Sequence, residues 1–132
     1  MITEDYVSFE TAKLLKEKGF DCNTNCYYIE DFKDLYYSPI RQNHNKRIIN
    51  NEFDIDINIP SGKMSAPTLQ MTMKWLREVH KIFISIQQHM DMSYVWYAYE
   101  DGAPKGWDRE SHNSTYEEAC KAAIKYCLEN LI

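Results

Sequence analysis

SAPTLQMTMKWLREVHKIFISIQQ, from Ser65 to Gln88, changes its hydrophobic rhythm once, and that change decides the fold class. In its first half Leu69, Met73, Leu76 and His80 recur at the i, i+4, i+7, i+11 spacing of one helix face, with Thr72 and Val79 beside them. Ser65 is the expected N-cap, and Pro67 falls in the first turn, where its missing N–H costs nothing. Met71 and Trp75 widen the apolar arc, so the helix is expected to pack on two sides, with Arg77 and Glu78 turned outward. From Ile82 the period drops to two: Ile82, Ile84 and Ile86 alternate with Phe83 and Ser85. WLREVH is then the joint between helix and strand. It leaves almost no loop, and His80 stands where a helix end has carbonyls to satisfy. Architecture accounts for the stretch without a ligand.

Two further helices flank this one. In SFETAKLLKEKGFD, Ser8 is the cap, and Val7 and Ala12 form a small hydrophobic staple. Gly19 takes the left-handed position after the last turn, and Phe20 folds back onto Leu15. Lys16 and Lys18 meet the negative end of the helix dipole. In STYEEACKAAIKYCLENLI, the pairs Ser114/Glu117 and Thr115/Glu118 both fit a capping box. Cys120, Ile124, Cys127 and Leu131 make one stripe, and Ala119 and Ala123 beside it allow close approach to a sheet.

Strands fill the intervals. SYVWYAYE (Ser93–Glu100) sets Tyr94, Trp96 and Ala98 against Val95, Tyr97 and Tyr99, and QQHMDM suits the hairpin that joins it to Ile82–Ile86. A turn in EDGAPKG returns the chain as a short strand near Trp107–Arg109. FDIDINI (Phe53–Ile59) alternates most cleanly, and CYYI and LYYS carry weaker strand signals. SPIRQNHNKRIINN, Ser38–Asn51, is polar and Asn-rich and is expected to be a loop excursion.

The chain's 132 residues suit one domain, long enough for a core without metal or disulfide staples. A net charge of −5 argues against a broad nucleic-acid footprint. No apolar run reaches the roughly 20 residues that span a bilayer, and MITEDYVSFE lacks the pattern of a signal peptide, so a cytoplasmic protein with reduced thiols is expected. Ten Tyr, three Trp and five Phe are a rich aromatic share, fit for a ring-built core or for a binding face.

Catalytic and metal-binding patterns are sparse. Cys22 and Cys26 have the C-x3-C spacing of a first zinc pair, but no second pair follows. Cys120 and Cys127 lie about 10 Å apart along a helix axis, too far to share an ion or a disulfide. His44, His80, His89 and His112 form no H-x3-H motif. No metal and no cofactor are expected. Cys120 follows two glutamates, which raise a thiol pKa, and no nucleophile elbow or phosphate loop is present. Asp54 and Asp56 share a strand face that could hold Mg²⁺ or Ca²⁺, although such a face is ordinarily just solvated. Arg41, His44, Lys46 and Arg47, after Tyr36 and Tyr37, make a short basic loop that could meet phosphates and stack a base.

The segments VSFETAKLLKEKGFD, APTLQMTMKWLREVHKIFISI and TYEEACKAAIKYCLENLI, in that order, resemble a group of short proteins of gut bacteria, often carried in prophages or other mobile elements and without an assigned activity. The likeness spans about half the chain and leaves out Cys22–Lys63. It implies a bacterial or phage origin and an accessory role, and it carries no catalytic residue.

A single α+β domain over residues 1–132 is expected, an antiparallel sheet around Ile82–Ile86 and Tyr94–Tyr99 packed by two or three helices. The first helix would lie at the periphery, and Phe53–Ile59 would add a strand whose open edge could pair with a second copy. The expected function is a non-enzymatic protein-interaction module, its partner another protein. Its surface would be drawn from Tyr94, Trp96, Tyr97, Tyr99 and Trp107, of which strand alternation can expose only part. The alternatives are nucleic-acid contact through Arg41, Lys46 and Arg47, and a small metal-dependent hydrolase using Asp54, Asp56 or a Cys/His pair.

Overall fold

The computed structural model describes residues 2–45, 62–108 and 113–132. The strand expected over Phe53–Ile59 lies outside the described residues, with Asp54 and Asp56, as do Lys46, Arg47, Arg109 and His112. The chain is α+β. Its order is α1 (Phe9–Glu17), β1 (Thr24–Ile29), β2 (Phe32–Gln42), β3 (Lys63–Ser65), α2 (Leu69–Val79), β4 (Ile82–Gln88), β5 (Tyr94–Glu100), β6 (Ala103–Trp107) and α3 (Tyr116–Asn130). The one sheet expected from sequence is two antiparallel sheets, β2-β1-β3 and β4-β5-β6. The chain folds as two compact units, Tyr6–Pro67, and Thr68–Ile132 with Met1–Asp5.

In the unit Tyr6–Pro67, CYYI and LYYS are strands, and the second runs on through Ser38–Gln42, where a loop was expected. Asn25 Nδ2 donates to the Ser38 carbonyl at 3.0 Å, which holds the extension on β1 through an irregular stretch of the ladder. Pro39 is tolerated because β2 is an edge strand, where a missing N–H breaks no ladder bond. Ser8 caps α1, and the Phe20 N–H reaches the Leu15 carbonyl at 2.9 Å around Gly19 at φ +87°. Phe20, Leu15, Ala12 and Val7 are fully buried. α1 therefore belongs to a core and is not peripheral. Tyr28 joins that core: its ring meets Phe9 edge-on at 5.6 Å, and its hydroxyl donates to the Val7 carbonyl at 2.7 Å.

The turn after β2 is pinned by side chains. The His44 N–H donates to Ser65 Oγ at 3.0 Å, the Ser65 N–H to Asn45 Oδ1 at 2.9 Å, and Asn45 Nδ2 to the Phe20 carbonyl at 2.8 Å. Ser65 is thus spent in β3, and α2 is capped by Thr68, whose hydroxyl accepts from the Met71 N–H at 3.1 Å. The cap falls after Pro67 because proline holds the residue before it out of the helical region. His44 is buried beneath the Tyr27 ring at 4.7 Å, and Tyr27 also stacks on Tyr36 and carries the Lys63 ammonium over its face. His44 Nε2 lies 3.0 Å from the Thr24 carbonyl, so that nitrogen bears the proton. Nδ1 is then a bare acceptor, buried and unpartnered among the described residues. Burial holds the imidazole below its ordinary pKa of 6.5; the Thr24 bond opposes that shift and the Lys63 charge adds to it.

In the unit Thr68–Ile132, Leu69, Thr72, Met73, Trp75 and Leu76 form the buried arc of α2, while Val79 is 57% exposed. Lys81 takes φ +59° between helix and strand and donates Nζ to the Glu78 carbonyl at 2.9 Å. The β4–β5 ladder is unbroken from Ile82↔Glu100 to Gln88↔Tyr94. Asp101 at φ +52° and Gly102 at φ +78° make a two-residue Asp-Gly turn, so β6 starts at Ala103 and ends at Trp107, short of Arg109. Thr115 caps α3 by accepting from the Glu118 N–H, and the Glu118 carboxylate accepts from the Ser114 N–H and hydroxyl. α3 crosses the sheet with Ala119, Cys120, Ala123, Ile124, Cys127 and Leu128 buried. Tyr126 lies so close over Gly106 that an added Cβ would overlap its ring, and its hydroxyl donates to the Lys105 carbonyl at 3.1 Å.

Three measurements test this construction. Gly106→Ala should lower the unfolding free energy in urea by about 1–3 kcal/mol, the usual penalty for overpacking, and a loss below about 0.5 kcal/mol would show that the Tyr126 ring shifts freely. Lys81→Gly should raise it by about 1 kcal/mol by relieving a left-handed side chain; no gain would mean that the Lys81–Glu78 bond offsets the strain. For His44 the folded pKa lies below 6.5, so its contribution is whole above that pH and is lost as the pH falls toward the folded value. Urea midpoints should therefore decline below pH 6.5 more steeply in the native protein than in His44→Gln, and parallel declines would refute the assignment.

Candidate functional site

Parity along β5 divides the expected aromatic surface in two. Trp96 points at α3, its ring 5.1 Å from Tyr126, and it is only 6% exposed. Tyr94 shares that side and meets Tyr116 of α3 edge-on at 6.3 Å. Both belong to the packing between sheet and helix. Tyr97 and Tyr99 turn to the opposite face, as alternate residues of a strand must, and their rings lie 6.5 Å apart at 30°. Trp107 pairs directly with Tyr97 across β5 and β6 and is 42% exposed.

The register adds residues that sequence reasoning passed over. Phe83 stands opposite Tyr99 from β4, and Pro104 stands opposite Tyr99 from β6. Phe83 is 52% exposed. Two rows cross the outer face: Phe83, Tyr99, Pro104 and, next to it, Ser85, Tyr97, Trp107. Directly opposed residues bring their Cβ atoms to about 5 Å, so the rings form one continuous patch. None of the six side chains carries a charge. The signal was present in the alternation of IFISI, where Phe83 falls out of phase with the three isoleucines. The Asp-Gly turn sets Pro104 opposite Tyr99, and the register shift that follows brings Trp107 to the same side.

The basic loop is not assembled among the described residues. Arg41 is exposed near the end of β2, and Lys46 and Arg47 lie outside the description. His44, read from sequence as part of that patch, is buried and held toward the neutral form. Its role is to fix the turn, which a solvated basic contact would not require.

The thiols are poorly placed for chemistry. Cys120 and Cys127 are fully buried, and burial pushes their pKa values up to about 11 and about 12. Neither forms thiolate at neutral pH, so neither is a ready nucleophile or metal ligand. Cys26 is buried on β1, and Cys22 is half-buried with its pKa raised by burial and by Asp21. Among the described residues no three His, Cys, Asp or Glu side chains gather as a metal site. No described helix is long and apolar enough to cross a membrane. The outer face of β4-β5-β6 gathers Phe83, Tyr97, Tyr99 and Trp107 from three adjacent strands, and β2 separately exposes Phe32, Leu35, Tyr37 and Ile40. No family model, curated protein or solved structure matches the chain.

Proposed function

We propose that the chain is a non-enzymatic protein-interaction module that binds through the outer face of β4-β5-β6. One observation carries this reading: Phe83, Tyr97, Tyr99, Pro104 and Trp107, from three adjacent strands, share one uncharged face, and Phe83 and Trp107 are among its most exposed members. Tyrosine and tryptophan are enriched at interfaces because each buries a large rigid area at small entropic cost while keeping a polar tip for hydrogen bonding. Each further 100 Å² or so of ring surface covered by a partner contributes about 2.5 kcal/mol before the costs of association, so two or three rings supply a working affinity. The inert thiols and the lack of a gathered metal site among the described residues favour binding over catalysis. An accessory role is also what the resemblance to short phage-associated proteins implies.

Affinity capture from a bacterial lysate, with native protein beside a Tyr97→Ala/Trp107→Ala double variant, tests the reading. A partner held by the native protein and lost by the variant, with both folded by circular dichroism, is the expected result. Equal retention by both proteins would place the binding surface elsewhere.

A further inference from the structure

We infer that the chain forms a two-fold dimer by antiparallel pairing of the outer edge of β2 with β2 of a second copy, Leu35 opposing Tyr37 and Asp31 opposing Arg41. This goes beyond the binding reading of β4-β5-β6 and does not depend on it. β2 is an edge strand. Four of its apolar side chains are open to water: Phe32 is 51%, Leu35 42%, Tyr37 69% and Ile40 67% exposed. The backbone of that edge faces outward too. The Ala66 N–H donates to the Cys26 carbonyl and the Glu30 N–H to the Gly62 carbonyl, so the even-numbered residues of β1 turn toward β3 and Tyr27 turns toward β2. Tyr36, paired with Tyr27, therefore points back at β1, and Leu35 and Tyr37 on either side of it direct N–H and C=O to the outer edge. An apolar edge with outward backbone groups is a template for another strand.

What selects a second copy is the strand's complementarity to itself. Pairing about a two-fold axis is isologous, the same patch being used on both copies. With Tyr36 on the axis, Phe32 opposes Ile40 of the second copy and Leu35 opposes its Tyr37, so the four exposed apolar side chains meet one another. The same register sets Asp31 of each copy, in the hairpin turn, opposite Arg41 of the other, and both residues are exposed. Opposite charges facing each other across an antiparallel pair stabilise it, and like charges do the reverse. Sliding the strands by two residues in one direction sets Lys33 against Arg41. Sliding them the other way sets Lys33 against Tyr37 and Phe32 against Ser38. Neither alternative keeps both the apolar and the charge match.

The pairing also closes at two copies. Pro39 falls opposite Lys33 of the other copy and has no N–H to donate, so the ladder stops at both ends of its Leu35–Tyr37 centre. β3, at the other edge of the sheet, has only 3 residues, too short an edge to recruit a further chain. Tyr36, stacked on Tyr27 within each copy, meets its counterpart on the axis. Covering the exposed side chains of β2 in both copies buries on the order of 1,000 Å², the threshold of a specific interface, so the dimer exchanges with monomer at micromolar concentration.

Sedimentation velocity of the full chain, from micromolar to millimolar concentration, tests the inference, with folding of every variant checked by circular dichroism. A monomer–dimer equilibrium is expected. Leu35→Lys and Tyr37→Ser should each weaken it by about tenfold or more, the scale for losing a central contact. Asp31→Arg alone and Arg41→Asp alone should each weaken it by about threefold or more, since each turns two exposed ion pairs repulsive, and the two changes together should restore it. Asp31 and Arg41 are both exposed, so the charge reversals keep the test decisive where Leu35→Lys fails to fold. A chain that stays monomeric throughout overturns the inference. So does a dimer that persists unchanged in the folded Leu35→Lys and Tyr37→Ser variants, or one in which the two charge reversals do not compensate each other. Capture of a partner through Tyr97 and Trp107 is a separate result that none of these outcomes decides.

Discussion

Tyr126 resting on Gly106 decides which side of β4-β5-β6 is inside. The ring occupies the space of a missing Cβ, its hydroxyl holds the Lys105 carbonyl, and Trp96 packs beside it at 5.1 Å. Once α3 is fixed there, strand parity leaves no freedom. Trp96 and Ala98 must be buried, and Tyr97 and Tyr99 must face the other way. The Asp-Gly turn puts Pro104 opposite Tyr99, and a register shift between Tyr99 and Ala98 then puts Gly106 opposite Ala98 and Trp107 opposite Tyr97. The aromatic patch is therefore a consequence of how the helix docks. A glycine in the middle of a strand usually weakens it; here it marks the close approach that orients the sheet.

The elements written in local chemistry were legible. The Gly19 ending of α1, with Phe20 folded onto Leu15, and the Thr115/Glu118 cap of α3 use contacts between residues a few positions apart, and both stand in the structure. So does the pairing of Ile82–Ile86 with the Tyr94–Tyr99 strand. What escaped was long-range. Ser65 reads as a good cap until its hydroxyl is seen to serve His44, a partner 21 residues away that no local pattern announces. The Asn-rich stretch after Ser38 reads as a loop because Asn, Ser and Pro are turn-formers. Yet Asn25 reaches across and keeps Ser38 on the ladder, and Asn45 spends its amide on Phe20 and Ser65. The division into two sheets escaped for the same reason, since strand signals say nothing about which strands pair.

The proposed binding face was half legible. Its tyrosines and tryptophan were named from their abundance, but Tyr94 and Trp96 entered with them because composition ignores parity. Counting phase from the core isoleucines separates the two sets without any coordinates: Ile82, Ile84 and Ile86 pair with Glu100, Ala98 and Trp96, so Phe83 and Ser85 must share a face with Tyr99 and Tyr97. Phe83 was not named, although the alternation of IFISI already set it on the face opposite the isoleucines. The ladder shows it on the far side, half exposed.

The two units use their polar groups differently, and Tyr6–Pro67 also exposes Phe32, Leu35, Tyr37 and Ile40 on β2. In Tyr6–Pro67 the buried polar groups His44, Thr24 and Ser65 are engaged with one another or with the backbone, and the rings of Tyr27 and Tyr36 are stacked on a neighbour and under a lysine. Their bonding capacity is largely used internally, and His44 Nδ1 has no partner among the described residues. In Thr68–Ile132 Thr68, Thr115 and Glu118 serve caps, while Phe83 and Trp107 are about half exposed on the outer sheet face. Exposed rings on a pleated surface are stabilising for pairing between strands, so each is tolerable singly. Gathered on one face with no charge among them, they leave apolar area that folding alone does not remove from water. Folding had an economical alternative, since the Ser85 and Gln87 positions of the same face show that polar side chains fit there. Phe83, Tyr97, Tyr99 and Trp107 are the side chains that the proposed contact with a partner would use.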